Sequence, residues 1–167
     1  MDNKEELITG AGVRTSTTWD CDGIRLGHSI SKFRDLTSFP ASSSRDVVRL
    51  HFGMRGDYMF TYKQLDKTFD LVGGHHNIMY SKDFDMVVQN KTLELETFGV
   101  QFPREMFIGF TQNANDLLKR FSEKIMLEQN AILSDNWGSI DSSIQQVIAQ
   151  IINCPYGGDL KKLFLLS

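Results

Sequence analysis

Two cysteines stand in 167 residues, Cys21 and Cys154, far apart and in no metal-binding or redox spacing. That scarcity excludes a disulfide scaffold and a zinc ribbon. Reduced, buried thiols are the reading that follows, and with it a cytoplasmic location. No apolar run approaches the roughly 20 residues that a membrane-spanning helix needs. The opening Met1-Asp2-Asn3-Lys4-Glu5-Glu6 is polar and acidic, which excludes a secretory signal. Nor is there a surplus of one charge: 18 Lys and Arg face 21 Asp and Glu, a net charge of −3. The stretch before Pro103 carries 12 basic and 14 acidic side chains, and the rest carries 6 and 7. Nucleic-acid binding draws on neutralised phosphates, so this chain is not expected to grip DNA or RNA itself. The hydrophobic share of 41% and charged share of 23% are those of a folded chain, which excludes disorder. The length suits one domain, or one domain with a helical appendage.

The hydrophobic pattern changes period near Pro103. Before it, Val48, Leu50, Phe52 and Met54 alternate with Arg49, His51, Gly53 and Arg55, and Leu93 and Leu95 alternate with polar neighbours. Val100 and Phe102 continue the second run after an offset at Phe98-Gly99 that reads as a bulge. Such alternation predicts strands with a buried face. Turn signals at Gly56-Asp57, Gly73-Gly74 and Ser81-Lys82-Asp83 delimit strands near 12–19, 23–30, 46–54, 57–63, 67–72, 76–80, 84–90 and 92–102. Short strands at this spacing predict a barrel or sandwich. Residues 38–44 read as an exposed loop. After Pro103, Phe107, Phe110, Leu117, Leu118, Phe121, Ile125 and Met126 recur at helical steps. The main helix is predicted near 114–129, capped by Asn113 or Asn115. Residues 134–138 read as a connection. A second helix is predicted near 139–153 with Ile140, Ile144, Val147, Ile148 and Ile151 in one stripe, and a third from about Asp159. The stripe fits burial against the barrel, a neighbouring helix or a second subunit. The apolar ending Leu163–Ser167 reads as a chain that continues, or as a short helix docked on the core.

Chemistry-bearing motifs are sparse. His75 and His76 are adjacent, and adjacent residues of a strand point to opposite faces. With His51 and His28 isolated, no catalytic metal and no other cofactor is expected. Cys154 precedes a proline at a helix end and has no nearby histidine in sequence, which favours a structural thiol over a catalytic one. Asp20/Asp22 and Asp83/Asp85 fit turn chemistry. Gly10-Ala11-Gly12 is too short for a phosphate loop. The helix after Cys154–Gly158 offers only Lys161 and Lys162 among mostly apolar residues, which is not a DNA-recognition helix.

Several segments resemble one family. Val48-Arg49-Leu50-His51-Phe52-Gly53-Met54-Arg55-Gly56 looks like the opening barrel strand of the regulatory domain of AraC-type transcription regulators. Gly74–Ser81 looks like a later strand of that domain, and Leu95–Pro103 followed by Phe107 like its last strand and first helix. Ile151-Ile152-Asn153-Cys154-Pro155-Tyr156-Gly157-Gly158-Asp159-Leu160-Lys161-Lys162-Leu163-Phe164 is similar to the helical linker of the siderophore-responsive, pyochelin-regulator-like branch. The resemblance spans about residues 45–167. It implies a mainly β, α+β chain: a cupin-like β-barrel (a double-stranded β-helix) over 1–102, then about three helices over 103–167. It further implies a non-enzymatic role, with a small-molecule effector in the barrel, a homodimer, and DNA contacted only through helix-turn-helix units beyond residue 167. Polar or aromatic positions on predicted strands give the effector candidates Trp19, Arg49, His51, Tyr58, His76 and Tyr80. A one-residue slip of register would turn any of them outward. Ile144, Val147, Ile148 and Ile151 are the dimer candidates, against an equally good reading as core. A free-standing metabolite-binding barrel and a small metal-dependent cupin enzyme are the alternatives.

Overall fold

The computed structural model describes residues 2–154. Ten strands come first: β1 (Asp2–Thr9), β2 (Gly12–Cys21), β3 (Ile24–Phe33), β4 (Ser38–Ser43), β5 (Val47–Arg55), β6 (Tyr58–Tyr62), β7 (Lys67–Leu71), β8 (His75–Tyr80), β9 (Phe84–Asn90) and β10 (Glu94–Pro103). Then follow α1 (Arg104–Phe110), α2 (Asp116–Met126), the short strands β11 (Ala131–Ile132) and β12 (Gly138–Ser139), and α3 (Ser142–Ile152). The predicted third helix, and the linker-like motif past Cys154, lie outside the described residues.

Two antiparallel sheets face one another. The larger runs β1-β2-β3-β10-β5-β8-β11, with β12 also paired to β8; the smaller runs β4-β9-β6-β7. The β2–β3 hairpin closes on Asp22-Gly23, both at positive φ (50° and 85°), the two-residue turn whose twist matches the strands. The space between the sheets holds Tyr58, Phe60, Tyr62, Leu71, Met79, Phe84, Val88 and Leu95. The other face of the larger sheet is equally apolar and is covered by the helices. Val48 and Tyr80 pack with Phe107, Phe121 and Ile125, while Trp19, Leu26 and Phe98 pack with Ile148. Each such fully buried large side chain contributes on the order of 1.5–3 kcal/mol.

The helices begin where the chain supplies caps. The Asn115 side chain accepts from the Leu118 amide at 3.0 Å, and Asp141 accepts from the Ile144 amide at 2.8 Å. Arg104, at the first position of α1, bonds the Ile125 carbonyl and pairs with Asp46 and Glu128, tying barrel to helices.

Four local expectations are corrected. Residues 38–43 form a strand, because β4 is an edge strand paired only with β9, where Pro40 and outward serines are tolerated. Polar β1, not foreseen, is likewise an edge strand, paired along its length with β2. The register shift of β10 falls at Glu96/Thr97 rather than Phe98-Gly99, with Met54 of β5 the extra residue. Residues 131–139, read in part as a connection, lay β11 and β12 along β8.

Candidate functional site

Strand parity sorts the candidate residues into two faces. On β5, Arg49, His51 and Gly53 share the face turned toward the smaller sheet, opposite Met79, Asn77 and His75 of β8. Their neighbours Val48, Leu50 and Phe52 point to the helices. His76 and Tyr80 belong to that second face, and so does Trp19 on β2.

Three effector candidates thus lie on the face turned from the smaller sheet. Trp19 is buried under α3 beside Ile148. The His76 ring lies 5.8 Å from the Phe52 ring, covered by Gly138, where a Cβ would come within 2.7 Å of Nε2. The Tyr80 ring joins the helix-facing core and its hydroxyl donates to Asp46 at 2.5 Å. Both faces of this sheet are buried, so polarity and alternation do not distinguish inside from outside.

Arg49, His51 and Tyr58 do face the interior, and two of them meet. The Tyr58 hydroxyl sits between two imidazoles, 2.6 Å from His51 Nε2 and 2.8 Å from His75 Nε2. His75 Nδ1 bonds the Val72 carbonyl, which only accepts, so Nδ1 carries the proton. With His75 neutral, its Nε2 accepts from the Tyr58 O–H, and the Tyr58 oxygen accepts from His51 Nε2–H. The chain of bonds leaves His51 Nδ1 as a free acceptor, and His51 keeps some accessible surface.

Burial sets the charge state. Desolvation first, and then the neighbouring His75, push His51 down to about 3. Desolvation also lowers His75 and raises Tyr58. All three are therefore neutral at pH 7, a hydrogen-bonding relay rather than a charged one. Tyr62, raised to about 12, donates to the Tyr80 carbonyl at 2.5 Å and also meets the Ser81 hydroxyl.

Trp137 closes one side of this relay. Its ring packs on His51, Phe60, Phe69 and His75 with centroid distances of 5.3–6.0 Å, and its indole Nε1 is buried without a hydrogen-bond partner. Beside it opens a cleft of about 390 Å³, lined by residues 69–75 and 135–139. His75 and Trp137 were not among the candidates. His75 was visible only as half of an adjacent pair, and Trp137 lay in an apparently irregular connection.

A second feature borders His51. In the row Gly27–Gly99–His51 across β3, β10 and β5, the two glycines leave room. A Cβ on Gly27 would meet only Thr18 Cγ2 at 3.8 Å, and one on Gly99 only the Leu50 carbonyl at 3.7 Å. Next along β10, on the same face, Gln101 holds a buried Oε1 without a partner. Gly53 is the opposite case: a Cβ there would fall 2.1 Å from His75 Nε2, so glycine is what lets the imidazole lie against the strand.

Of the dimer candidates, Ile148 is buried within its own chain, Ile144 and Ile151 pack partly on the same cluster, and Val147 is exposed. The plain core reading therefore accounts for Ile148.

The donor set does not suit a metal of the kind a cupin barrel can hold. Among the described residues no three His, Cys, Asp or Glu side chains converge, and the two inward imidazoles are spent on one tyrosine hydroxyl. No helix among the described residues is long and apolar enough to cross a membrane.

No protein-family model matches the chain, and neither does any curated protein. Solved structures do. The AraC-like transcriptional activator CuxR matches over 91% of this chain and 49% of its own, with 9% identity and a TM-score of 0.50. A cupin superfamily protein of Desulfitobacterium hafniense matches over 57% and 83%, with 13% identity and a TM-score of 0.45. Ectoine synthase of P. lautus matches over 59% and 68%, with 12% identity and a TM-score of 0.45. The chain spans about half the length of the activator. At these identities the likeness is one of fold: two cupin-like sheets followed by helices. A fold does not fix a function, so function must be argued from the site.

Proposed function

We propose that the chain is the effector-sensing part of an AraC-type regulator, taking a small molecule into the barrel and passing the change to its helices. The observation that carries this reading is the position of Trp137. It covers the His51–Tyr58–His75 relay on one side and leads, four residues later, into the Asp141 cap of α3. Ile140 is fixed to the Gly74 carbonyl at 2.9 Å, and α3 lies on the back of the same sheet through Ile148. A ligand that bonds His51 Nδ1 or the Trp137 indole favours one placement of residues 131–140 over another. The shift available equals its difference in affinity for the two placements. The relay is neutral and its members bond one another, which suits recognition better than proton transfer at neutral pH. Fold likeness to an activator over most of the chain and the segment resemblances support a dimeric regulator, with DNA bound by a separate helix-turn-helix part of the protein.

The test is a screen of small polar metabolites read by tryptophan emission and thermal unfolding. The reading expects a ligand that raises Tm, alters emission in the parent chain but not in Trp137→Phe, and is recovered chemically unchanged. Conversion of the ligand over many turnovers would make the chain an enzyme and overturn it. So would a ligand whose binding leaves Trp137 emission untouched. On the same reading the gene encodes helix-turn-helix units in frame beyond the codon for Ser167, which sequencing checks.

A further inference from the structure

The end of the barrel away from Tyr58 holds two arginines that no carboxylate neutralises. Arg49 is half-buried on the inward face of β5. Its guanidinium lies 4.7 Å from the Phe84 ring centroid and reaches only backbone carbonyls, those of Val47, Ser81 and Arg45, at 3.4–3.5 Å. Arg45 Nη1 is buried and has no hydrogen-bond partner. Neither arginine has a carboxylate within ion-pair distance among the described residues. Of the acidic groups near them, Asp46 is committed to Tyr80 and Arg104 and Asp20 to Arg25, while Asp83 and Asp85 share the cleft with Arg45 without an ion pair to it. Arg49 bonds the Arg45 carbonyl, and the burial that lowers Arg49 is compounded by the like charge of Arg45. A fold does not need such a pair; an apolar or paired residue would cost less.

Arg45 faces a space, and Arg49 reaches its wall through Phe84. A cleft of about 530 Å³ is lined by Arg45, the serines at 42–44, Phe84 and the aspartates 83 and 85. Arg49 stacks on Phe84 from within the barrel, and His51 follows two positions along the same face of β5.

We infer that the small molecule taken by this barrel carries an oxyanion, a carboxylate or a phosphate, held by the forked guanidinium groups of Arg45 and Arg49 with help from the serine hydroxyls. The inference rests on the sensing role proposed above and names the ligand class. The guanidinium fork matches two oxygens of one anionic group. Asp83 and Asp85 on the same wall select against a second anionic group and favour donors there, such as the hydroxyls of a hydroxy acid or a sugar phosphate, or the ammonium of an amino acid.

The experiment is an amide NMR titration of the full chain with inorganic phosphate and, separately, acetate, each against chloride at equal ionic strength. The expected result is saturable shifts confined to residues 42–49 and 81–85 with at least one of the two anions. The anion that saturates the site identifies the head group as phosphate or carboxylate. Affinity should fall at least tenfold in Arg45→Gln and in Arg49→Gln, fall less in Arg49→Lys, and be unchanged in Arg120→Gln on α2. Shifts no larger than those with chloride, or glutamine variants that bind as tightly as the parent chain, would overturn the inference. Spectra away from the site report whether each variant is folded, and Arg49→Lys preserves the charge where Arg49→Gln disturbs packing. A metabolite that moves Trp137 emission equally in the parent chain and in Arg45→Gln would overturn the oxyanion head while leaving the sensing role standing.

Discussion

Removing one oxygen atom, in Tyr58→Phe, tests the relay most directly. The ring stays, so the apolar packing of a residue only 2% exposed is kept. What disappears is the hydroxyl that donates to His75 Nε2 and accepts from His51 Nε2–H. Each imidazole is then left with an unsatisfied polar atom in a site where water has little room. A buried donor or acceptor without a partner costs about 1–3 kcal/mol. Two such atoms, partly relieved by small ring movements, give an expected loss of about 2–4 kcal/mol. For a chain of this length that corresponds to a fall in Tm of roughly 5–15 °C. Urea unfolding at pH 7.5 measures the loss, and nitrogen-detected imidazole NMR reads the tautomers. The parent chain should show His51 protonated at Nε2 and His75 at Nδ1, and the variant should lose the His51 preference. A variant within about 0.5 kcal/mol of the parent, the scale of a neutral surface change, would refute the reasoning. Unchanged tautomers would do the same.

Four further outcomes follow from the structure. His51 titrates near 3 in the folded chain and near 6.5 when unfolded, so below pH 6.5 the unfolded chain takes up a proton that the native chain refuses. Stability should therefore fall on acidification, by up to ~1.4 kcal/mol per pH unit for this group and more with His75, and His51→Gln should flatten the slope between pH 6.5 and 5 by about one proton. Gly99→Leu adds a side chain beside His51 where a Cβ makes only ordinary contact with the Leu50 carbonyl, and should change stability by less than about 1 kcal/mol while abolishing ligand-induced changes in Trp137 emission. Gly53→Ala instead drives a methyl into the His75 ring and should cost about 1–3 kcal/mol with loss of the Tyr58–His75 bond, both read by urea unfolding and imidazole NMR. Asp141→Ala removes the cap of α3 and should cost about 1 kcal/mol, seen as faster amide exchange at the start of that helix.

What the sequence determined by itself is local. The alternation in 48–55 predicts β5, the change of period falls at Pro103 where β10 ends, and Asn115 caps its helix as its position suggests. These features depend on neighbours within a few residues: backbone dihedrals, side chains one turn away, the two faces of one strand. The tertiary structure decided which face is inside. Val48, Leu50 and Phe52 form the more apolar stripe, yet they pack on the helices, and Arg49 and His51 hold the interior. Period two separates two faces but assigns neither, because both are buried here, one by a second sheet and one by α1–α3. For the same reason His75 rather than His76 joins the relay, and Trp137, 86 positions along the chain from His51 (137 − 51), closes it. Those pairings are set by strand register and by the return of residues 131–139 to β8, which are long-range choices that no short window of residues encodes.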